Sequence, residues 1–294
     1  MSSERYRFNV GFFDCIAVSD GTFSYPHPSK NVFINFFVNA REDHLRRVLG
    51  DHDLVPERWE EYVSPYNCLV IVNGQDHVLI DTGAGNLAPT TGRLIHNLAA
   101  EGISPEDIDT VIITHGHPDH IGGNIDSEGR PAFPNAKYLM WRGEWDFWTS
   151  EPDLSGLKID DHGKETLVNV AVRSLNPIRD RIELIEREAE IRPGIRAVSA
   201  PGHTPGHMAV EVVSDDAQLL YISDAALHPI HLEQPEWCSS VAYDPEKVTK
   251  SRLKLFRRAV SQNALVAASH FPFPGLGHIE ERKDAFKWQP INGT

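Results

Sequence analysis

Short apolar runs recur along the chain, and polar or glycine-containing turns separate them. Residues 68–72 form such a run, which ends at Asn73-Gly74 and resumes from His77 to Ile80. Asn-Gly between two apolar runs is typical of a β-hairpin. Further runs predict strands in the ranges 9–13, 15–18, 137–141, 195–199, 208–213, 218–222 and 264–269.

Helical periodicity alternates with these runs. From Thr91 to Ala100 the apolar residues share one helical face, and Gly102 follows the last of them. A longer helix with a basic outer face is predicted from Pro245 to Val260. Strands that alternate with helices, after opening hairpins, are typical of a layered α/β protein with helices outside mixed sheets.

Two stretches lack this alternation. Residues 23–66 contain several prolines and many aromatic residues, which predicts loop-rich covering structure. Residues 147–191 look helical, are polar and are interrupted by prolines, which predicts a helical insertion over one edge. No repeat or composition shift marks a linker, and 294 residues, 40% of them hydrophobic, are enough for a substantial core. We therefore expect residues 1–294 to form a single domain that includes both stretches.

Charge and cysteine content limit the expected partners and compartment. The 42 acidic residues outnumber the 28 Lys and Arg, for a formal net charge of −14. Polyanion binding requires Lys and Arg to neutralise phosphates, so we expect no nucleic-acid partner and disfavour a nuclease. The three cysteines are scattered, no apolar run suits a signal peptide, and none reaches a membrane span. We expect a soluble cytoplasmic protein without a membrane partner.

Ligand-type residues follow the apolar run Val111-Ile112-Ile113, in the segment Thr114-His115-Gly116-His117-Pro118-Asp119-His120. His115 and His117 are two apart, so in an extended segment both side chains leave on the same side. Asp119 and His120 follow a proline and can turn toward a second position. Imidazole and carboxylate ligands suit zinc and its first-row neighbours. This loop is therefore predicted to bind one metal ion, with room for a second.

Three further residues repeat the pattern of an apolar strand followed by a ligand-type side chain. His203, Asp224 and His270 each come directly after a predicted strand. Ligands of open α/β sheets bind in the crevice outside the carboxyl ends of the strands. We therefore expect these three side chains to meet the 115–120 loop in one site.

The residues His115-x-His117-x-Asp119-His120, followed in order by His203, Asp224 and His270, resemble the ligand pattern of the metallo-β-lactamase superfamily. Asp81-Thr82-Gly83 resembles its Asp-Thr-Gly turn after an early strand. The resemblance extends from about residue 67 to about residue 280. It implies an α/β fold, an αββα sandwich with a dinuclear metal site at the sheet edges. Two divalent ions are implied, zinc first, although manganese, cobalt or iron suits similar ligands.

The resemblance also implies a role for each of these residues. Asp81 would orient a ligand histidine by a hydrogen bond, as such partners usually do. Asp224 would bridge the two metal ions, and Asp119 and Asp224 would act in catalysis. One ion would be held by His115, His117 and His203, and the other by Asp119, His120 and His270.

Two branches of the superfamily are similar to this chain. The segments 201–207 and 269–279 are similar to those of methyl parathion hydrolase-like enzymes and of quorum-quenching lactonases. Acyl-homoserine lactonases place a tyrosine three residues after the bridging aspartate as the proton donor to the leaving group. Leu227 stands there in this chain, and His228 follows it. His228 is therefore a candidate catalytic residue, with His231 or a tyrosine from elsewhere as alternatives.

The expected activity is hydrolysis of a small neutral ester or lactone by a metal-bridging hydroxide. An acyl-homoserine lactonase is the first expectation, and an organophosphate triesterase like methyl parathion hydrolase is the alternative. A glyoxalase II-type thioesterase is a lesser alternative, because the C-terminal end carries Phe-Pro-Phe-Pro instead of basic residues for glutathione. An iron redox enzyme of the same fold is also a lesser alternative. The oxygen-reducing branch of that fold usually has glutamate where His117 stands, which argues against it.

Aromatic residues are candidates for an apolar substrate pocket, because such pockets usually carry few polar groups. Phe271 and Phe273 follow the last metal-ligand candidate, and Phe23 and Phe36 lie in the N-terminal loop-rich segment. Tyr25, Phe33 and Phe37 accompany the latter pair. By analogy with relatives that pair through such segments, we also expect a homodimer formed through residues 23–66.

Overall fold

The part of the chain that the structure describes contains fourteen strands and seven α-helices. The structure is a computed structural model, and it describes residues 4–26, 35–54, 61–74, 76–283 and 285–291. The strands are β1 (Arg5–Val10), β2 (Phe13–Pro26), β3 (Glu61–Asn73), β4 (Asp76–Ile80), β5 (Thr110–Ile113), β6 (Lys137–Trp141), β7 (Ile182–Ile185), β8 (Ala189–Arg192), β9 (Ile195–Ser199), β10 (Met208–Ser214), β11 (Ala217–Tyr221), β12 (Leu265–Ala267), β13 (Leu276–Arg282) and β14 (Ala285–Pro290). The helices are α1 (Glu42–Asp51), α2 (Leu94–Ala100), α3 (Pro118–Ile121), α4 (Arg142–Thr149), α5 (Asp161–Leu175), α6 (Ile230–Glu233) and α7 (Pro245–Ser261).

The strands form two mixed sheets. The first runs β1-β2-β3-β4-β5-β6-β7, with antiparallel pairs up to β4 and parallel pairs from β4 to β7. The second runs β14-β13-β12-β11-β10-β9-β8, and only its β11–β12 pair is parallel. Both sheets lie between helical layers, so the predicted αββα sandwich is confirmed.

Residue alternation along the strands explains the layers. On β3, Leu69 and Ile71 pack between the sheets with Val210 of β10, whereas Val70 packs outward with Leu98 of α2. On the other side, strands of the second sheet pack outward against Leu255 and Phe256 of α7. Strands buried on both faces form nearly continuous apolar runs, which is why the sequence marks them clearly.

Several boundaries differ from the sequence expectation. Helix α2 begins at Leu94 instead of Thr91, because Asp20 accepts hydrogen bonds from the N–H groups of Gly92 and Leu94 and closes the turn before it. The expected helical insertion at 147–191 is wrong in its last part. There β7 and β8 add one edge strand to each sheet. Each has four residues, one of them a glutamate, which is too short for a clear hydrophobicity pattern.

The loop-rich expectation for residues 23–66 is also wrong where the structure describes them. Strand β2 continues to Pro26, α1 covers Glu42–Asp51, and β3 starts at Glu61. Residues 27–34 and 55–60 lie outside the described residues. Pro65 lies inside β3 opposite Thr22, where β3 pairs with β2 but not with β4. A proline is tolerated there because one side of the strand needs no ladder hydrogen bond.

No helix in the described ranges is long and apolar enough to cross a membrane.

Candidate metal centre and adjoining cavity

The side chains predicted to bind metal follow strands, and the fold brings them together. His115 and His117 come just after β5, and His203 lies in the loop between β9 and β10. Asp224 lies in a 3₁₀ turn directly after β11, and His270 follows β12. Asp119 and His120 lie on the single turn of α3, which Pro118 starts. Proline suits the first turn of a helix, so the short α3 directs two ligands away from the extended pair before it.

The ligand atoms form two groups. Within each group, the nitrogen and carboxylate oxygen atoms lie within 4.8 Å of one another. This spacing suits atoms around one ion, since nitrogen and oxygen ligands lie about 2.0–2.2 Å from zinc. Each group can therefore hold one divalent ion. The first group is His115, His117, His203 and Asp224, and the second group is Asp119, His120 and His270.

Asp224 lies between the two groups. Its Oδ2 atom is 3.6 Å from Nε2 of His115 and 3.1 Å from Nε2 of His203. Its Oδ1 atom is 3.1 Å from Nε2 of both His120 and His270. One oxygen of the same carboxylate thus faces each group. The arrangement supports a dinuclear site for divalent metal ions.

Buried atoms at the centre provide a test of whether the residues fit a metal pair. Nε2 of His115, His120 and His270 and Oδ1 of Asp224 are buried and make no hydrogen bond with the described residues. A buried polar atom without a partner is costly, and a bound cation removes that cost. Burial also lowers the pKa of His115 and His117 well below the ordinary value, so both imidazoles are neutral. Neutral imidazoles are the form that binds metal.

Asp81 orients one of the candidate ligands. Its Oδ2 atom is 2.8 Å from Nδ1 of His120, and its Oδ1 atom accepts a 2.8 Å hydrogen bond from the N–H of Thr114. With Nδ1 of His120 turned to Asp81, Nε2 faces Asp224. This is the arrangement expected of a carboxylate that orients a ligand histidine.

Glu144, on α4, joins two of the ligand-bearing loops. Its side chain is completely buried. Oε1 accepts hydrogen bonds of 2.8 Å from the N–H of Gly116 and 2.7 Å from Nε1 of Trp148. Oε2 accepts bonds of 2.7 Å from Oγ1 of Thr204 and 2.8 Å from the N–H of Gly206. One carboxylate therefore links the loop of His115 and His117 to the loop of His203.

Sequence reasoning missed Glu144 because its partners lie 28 and 60 residues away along the chain. It also missed His207, whose Nδ1 lies 2.9 Å from the carbonyl of Ala200 and whose Nε2 accepts the N–H of Asp224 at 3.1 Å. Burial lowers the pKa of His207 to about 3, so the ring is neutral and acts as donor and acceptor at once. The sequence could have pointed to His207 through its place in the segment Pro201–His207, which also contains His203.

A cavity of about 570 Å³ adjoins both ligand groups. His117, Asp119, Asp224 and His270 all contribute to its lining. Of the predicted pocket residues, Phe23 and Phe36 line it, as does Tyr25. Other apolar lining residues are Leu87, Ile159, Leu167, Leu227 and Val241. The cavity thus has a largely apolar wall facing the candidate metal centre.

The prediction that Phe271 and Phe273 line the pocket is wrong. Phe271 is completely buried and packs against Trp288, with ring centroids 4.9 Å apart. Although it follows His270 directly, its side chain packs into the layer between the second sheet and α7. Phe273 packs against the core between the sheets. Phe37 is buried against Trp237, and Phe33 lies outside the described residues.

His228, the candidate proton donor, is not among the residues that line the cavity. Its ring lies 5.9 Å from the ring of Phe37, and its Nδ1 atom accepts the N–H of Ile230. His231 is buried, with Nδ1 accepting the N–H of Leu227 and Nε2 3.2 Å from the carbonyl of Phe36. Both histidines are thus placed to support the cavity wall.

Sequence reasoning also missed polar residues of the cavity lining. Ser64 and Tyr66 come from β3, and Lys158, Asp160 and Thr166 come from the start of α5 and the segment before it. Burial, with the charges of Asp119 and Asp224, raises the pKa of Tyr66 well above its ordinary value. Tyr66 therefore keeps its proton. The sequence could have pointed to Ser64 and Tyr66, because residues two apart on a strand share one face.

The chain shares family and fold with known proteins. Residues 62–270 match the profile of the metallo-beta-lactamase superfamily. An N-acyl homoserine lactonase of Bacillus sp is 24% identical over 227 residues, which are 70% of this chain and 81% of that protein. The structure of AidC, a dizinc quorum-quenching lactonase in complex with a product, is 26% identical, with a TM-score of 0.87 over 99% of both chains.

A second solved structure, the hydrolase AbOPH in the beta lactamase superfamily, is 26% identical, with a TM-score of 0.88 over 100% of this chain and 99% of that chain. The family match covers well over half of the chain, and the sheet order and the paired ligand groups agree with it. The chain belongs to the metallo-β-lactamase superfamily.

Proposed function

We propose that this protein is a metal-dependent lactonase that opens acyl-homoserine lactones. The observation that carries the proposal is the carboxylate of Asp224, which faces both ligand groups beside a largely apolar cavity. The similarity to an N-acyl homoserine lactonase and to AidC favours a lactone among the esters that such a site can hydrolyse.

The two ligand groups would hold one ion each, and Asp224 would contact both. A bound metal pair lowers the pKa of a shared water toward neutrality and polarises the oxygen of an ester carbonyl. We propose zinc as the metal, since imidazole-rich sets with carboxylate suit it and AidC is described as a dizinc enzyme. The proposed ligands are His115, His117 and His203 for one ion and Asp119, His120 and His270 for the other.

Asp119 is the proposed catalytic carboxylate that faces the attacking water. Its side chain is 19% exposed, against 3% for Asp224 and 5% for His270. It lines the cavity, and its Oδ2 atom is 3.4 Å from Nε2 of His270. A carboxylate at the wall of the cavity can accept a hydrogen bond from water. This hydrogen bond turns a lone pair of the water oxygen toward the ester carbon.

The apolar wall of the cavity favours a substrate with an acyl chain. Phe23, Phe36 and Leu227 present apolar surface near the ligand groups. Each methylene of an acyl chain that leaves water for such a surface contributes about 0.8 kcal/mol.

A panel of substrates tests the proposal. The metal-loaded protein is expected to have its highest kcat/KM with an acyl-homoserine lactone, ahead of a nitrophenyl phosphotriester and of S-lactoylglutathione. Asp224→Ala is expected to abolish hydrolysis, because it removes the carboxylate shared by both groups. A preference for the phosphotriester or the thioester would replace the lactonase proposal. Oxygen consumption by iron-loaded protein without hydrolysis would refute a hydrolytic function.

A further inference from the structure

Strands β2 and β3 extend past the rest of the first sheet as a two-stranded ribbon. The β1 partners of β2 end at Val18, and the β4 partners of β3 end at Leu69. Beyond those points, among the residues that the structure describes, β2 and β3 pair with each other alone, from Gly21–Tyr66 to Pro26–Glu61. Residues two apart on a strand share a face, and cross-strand partners share it too. Phe23 and Tyr25 of β2 and Ser64 and Tyr66 of β3 occupy the face that lines the cavity.

Tyr66 is the phenol on this face that lies beside the ligand groups. Its ring is 5.4 Å from the ring of His270, edge to face, and only 6% of the residue is exposed. The preceding carbonyl, that of Pro65, lies 3.2 Å from Nδ1 of His270. Tyr66 is thus held in the cavity lining beside His270.

The hydroxyl of Tyr66 makes no hydrogen bond with any residue that the structure describes. It is also not among the buried polar atoms that lack a partner, so it borders the open space of the cavity. A phenol with its hydroxyl turned to the cavity can donate to a bound ligand without first breaking an existing bond.

Lactone opening requires such a donor. The leaving group is an aliphatic alkoxide attached to the product, and a proton supplied as the C–O bond breaks lowers the barrier. Leu227 lines the cavity, but its side chain cannot supply a proton. His228 does not line the cavity. Lys158 lines it but is exposed, and Ser64 is a weaker acid than a phenol.

We propose that Tyr66 donates the proton to the leaving oxygen, an inference that rests on the proposed lactonase function. Water adds to the acyl carbon, the ring C–O bond breaks, and the leaving oxygen takes the phenolic proton of Tyr66. The Tyr66 phenolate then takes up the proton that the attacking water has released. The sum is one water added across the ester, and the enzyme returns to its starting state.

The test compares two substrates with the same acyl group and different leaving groups. One is the lactone, whose alkoxide needs a proton, and the other is a p-nitrophenyl ester, whose phenolate leaves without one. Tyr66→Phe is expected to lower kcat/KM for the lactone by about 100-fold or more, which is the usual range for general acid catalysis. The loss for the nitrophenyl ester is expected to be much smaller.

Tyr25→Phe is the matched comparison, because it removes the same atom farther along the same ribbon face. Any effect of Tyr25→Phe is expected to be similar for both substrates. Metal content and thermal unfolding of both variants, measured first, establish that the site is loaded and the protein folded. A series of aryl and alkyl esters provides a second readout: rates of Tyr66→Phe should fall more steeply than wild-type rates as the leaving group becomes more basic.

Equal losses on both substrates, or no loss on either, would overturn the assignment of Tyr66. A leaving-group-dependent loss in Tyr25→Phe but not in Tyr66→Phe would also overturn it. The absence of lactone opening in the loaded wild-type protein would refute the proposed function itself, and with it this inference. Wild-type lactone opening that survives in Tyr66→Phe would refute the inference alone.

Discussion

Replacing Glu144 by glutamine tests whether one buried carboxylate holds the two histidine loops in place. Glu144 and glutamine have nearly the same shape, but all four neighbours of Glu144 are donors. The amide oxygen of glutamine can serve two of them, while its NH₂ group faces the other two. Whichever way the amide turns, one loop loses its acceptor.

The structure sets the expected size of the effect. Two hydrogen bonds to a charged group are lost, and each contributes about 1.5–3 kcal/mol, so Glu144→Gln is expected to cost about 3–6 kcal/mol of unfolding free energy. Loss of a residue that holds metal ligands in place typically lowers metal affinity about 10–100-fold. The affected ion is expected to be the one in the group of His115, His117 and His203.

Urea unfolding of metal-free protein measures the first quantity, and competition with a chromophoric chelator measures the second. Glu190→Gln is the matched control, because Glu190 is exposed and accepts a single hydrogen bond from the N–H of Gly194. Exposed substitutions of this kind change stability by about 0.5 kcal/mol or less. Unchanged metal affinity in Glu144→Gln, with or without a loss of stability, would refute the role assigned to Glu144.

Two further predictions concern the cavity wall and its support. Phe36→Leu is expected to raise KM for long-chain acyl lactones more than for short-chain ones, by an amount corresponding to about 1–3 kcal/mol; an equal change for all chain lengths would show that Phe36 does not contact the acyl chain. Burial, with the nearby His52, lowers the pKa of His228 from its ordinary value of 6.5 to about 3 in the folded chain. The unfolded state therefore binds the extra proton first, and His228 removes stability as pH falls from 6.5 toward 3, by up to about 1.4 kcal/mol per pH unit. His228→Asn should flatten the pH dependence of the unfolding free energy in that window, and parallel curves for variant and wild type would contradict this.

Most of the candidate ligands could be predicted from the sequence because they come just after apolar strands. His115, Asp224 and His270 follow short apolar runs, which are easily recognised. Strand β9, which precedes His203, is less continuous because its Arg196 is exposed. Strand ends of one sandwich converge, so the residues after them meet. Asp81 was predictable for the same reason, since it directly follows β4.

The remaining features depend on side-chain direction and on distant contacts, which a single sequence does not determine. His270 lines the cavity, whereas its neighbour Phe271 packs into the core, and the turn that contains both sets these directions. Strands β7 and β8 have four residues each, and their pairing with β6 and β9 makes them strands. Glu144 and Tyr66 acquire their surroundings from segments far along the chain.

The metal dependence of lactone opening is the most direct test of the proposed function. Metal-free protein is titrated with zinc while acyl-homoserine lactone hydrolysis and bound metal are measured in the same samples. No hydrolysis is expected without metal, and activity is expected to rise to a plateau at two bound ions per chain, because the two ligand groups share Asp224. Full lactone hydrolysis in metal-free protein, or a plateau with one bound ion, would contradict the proposal.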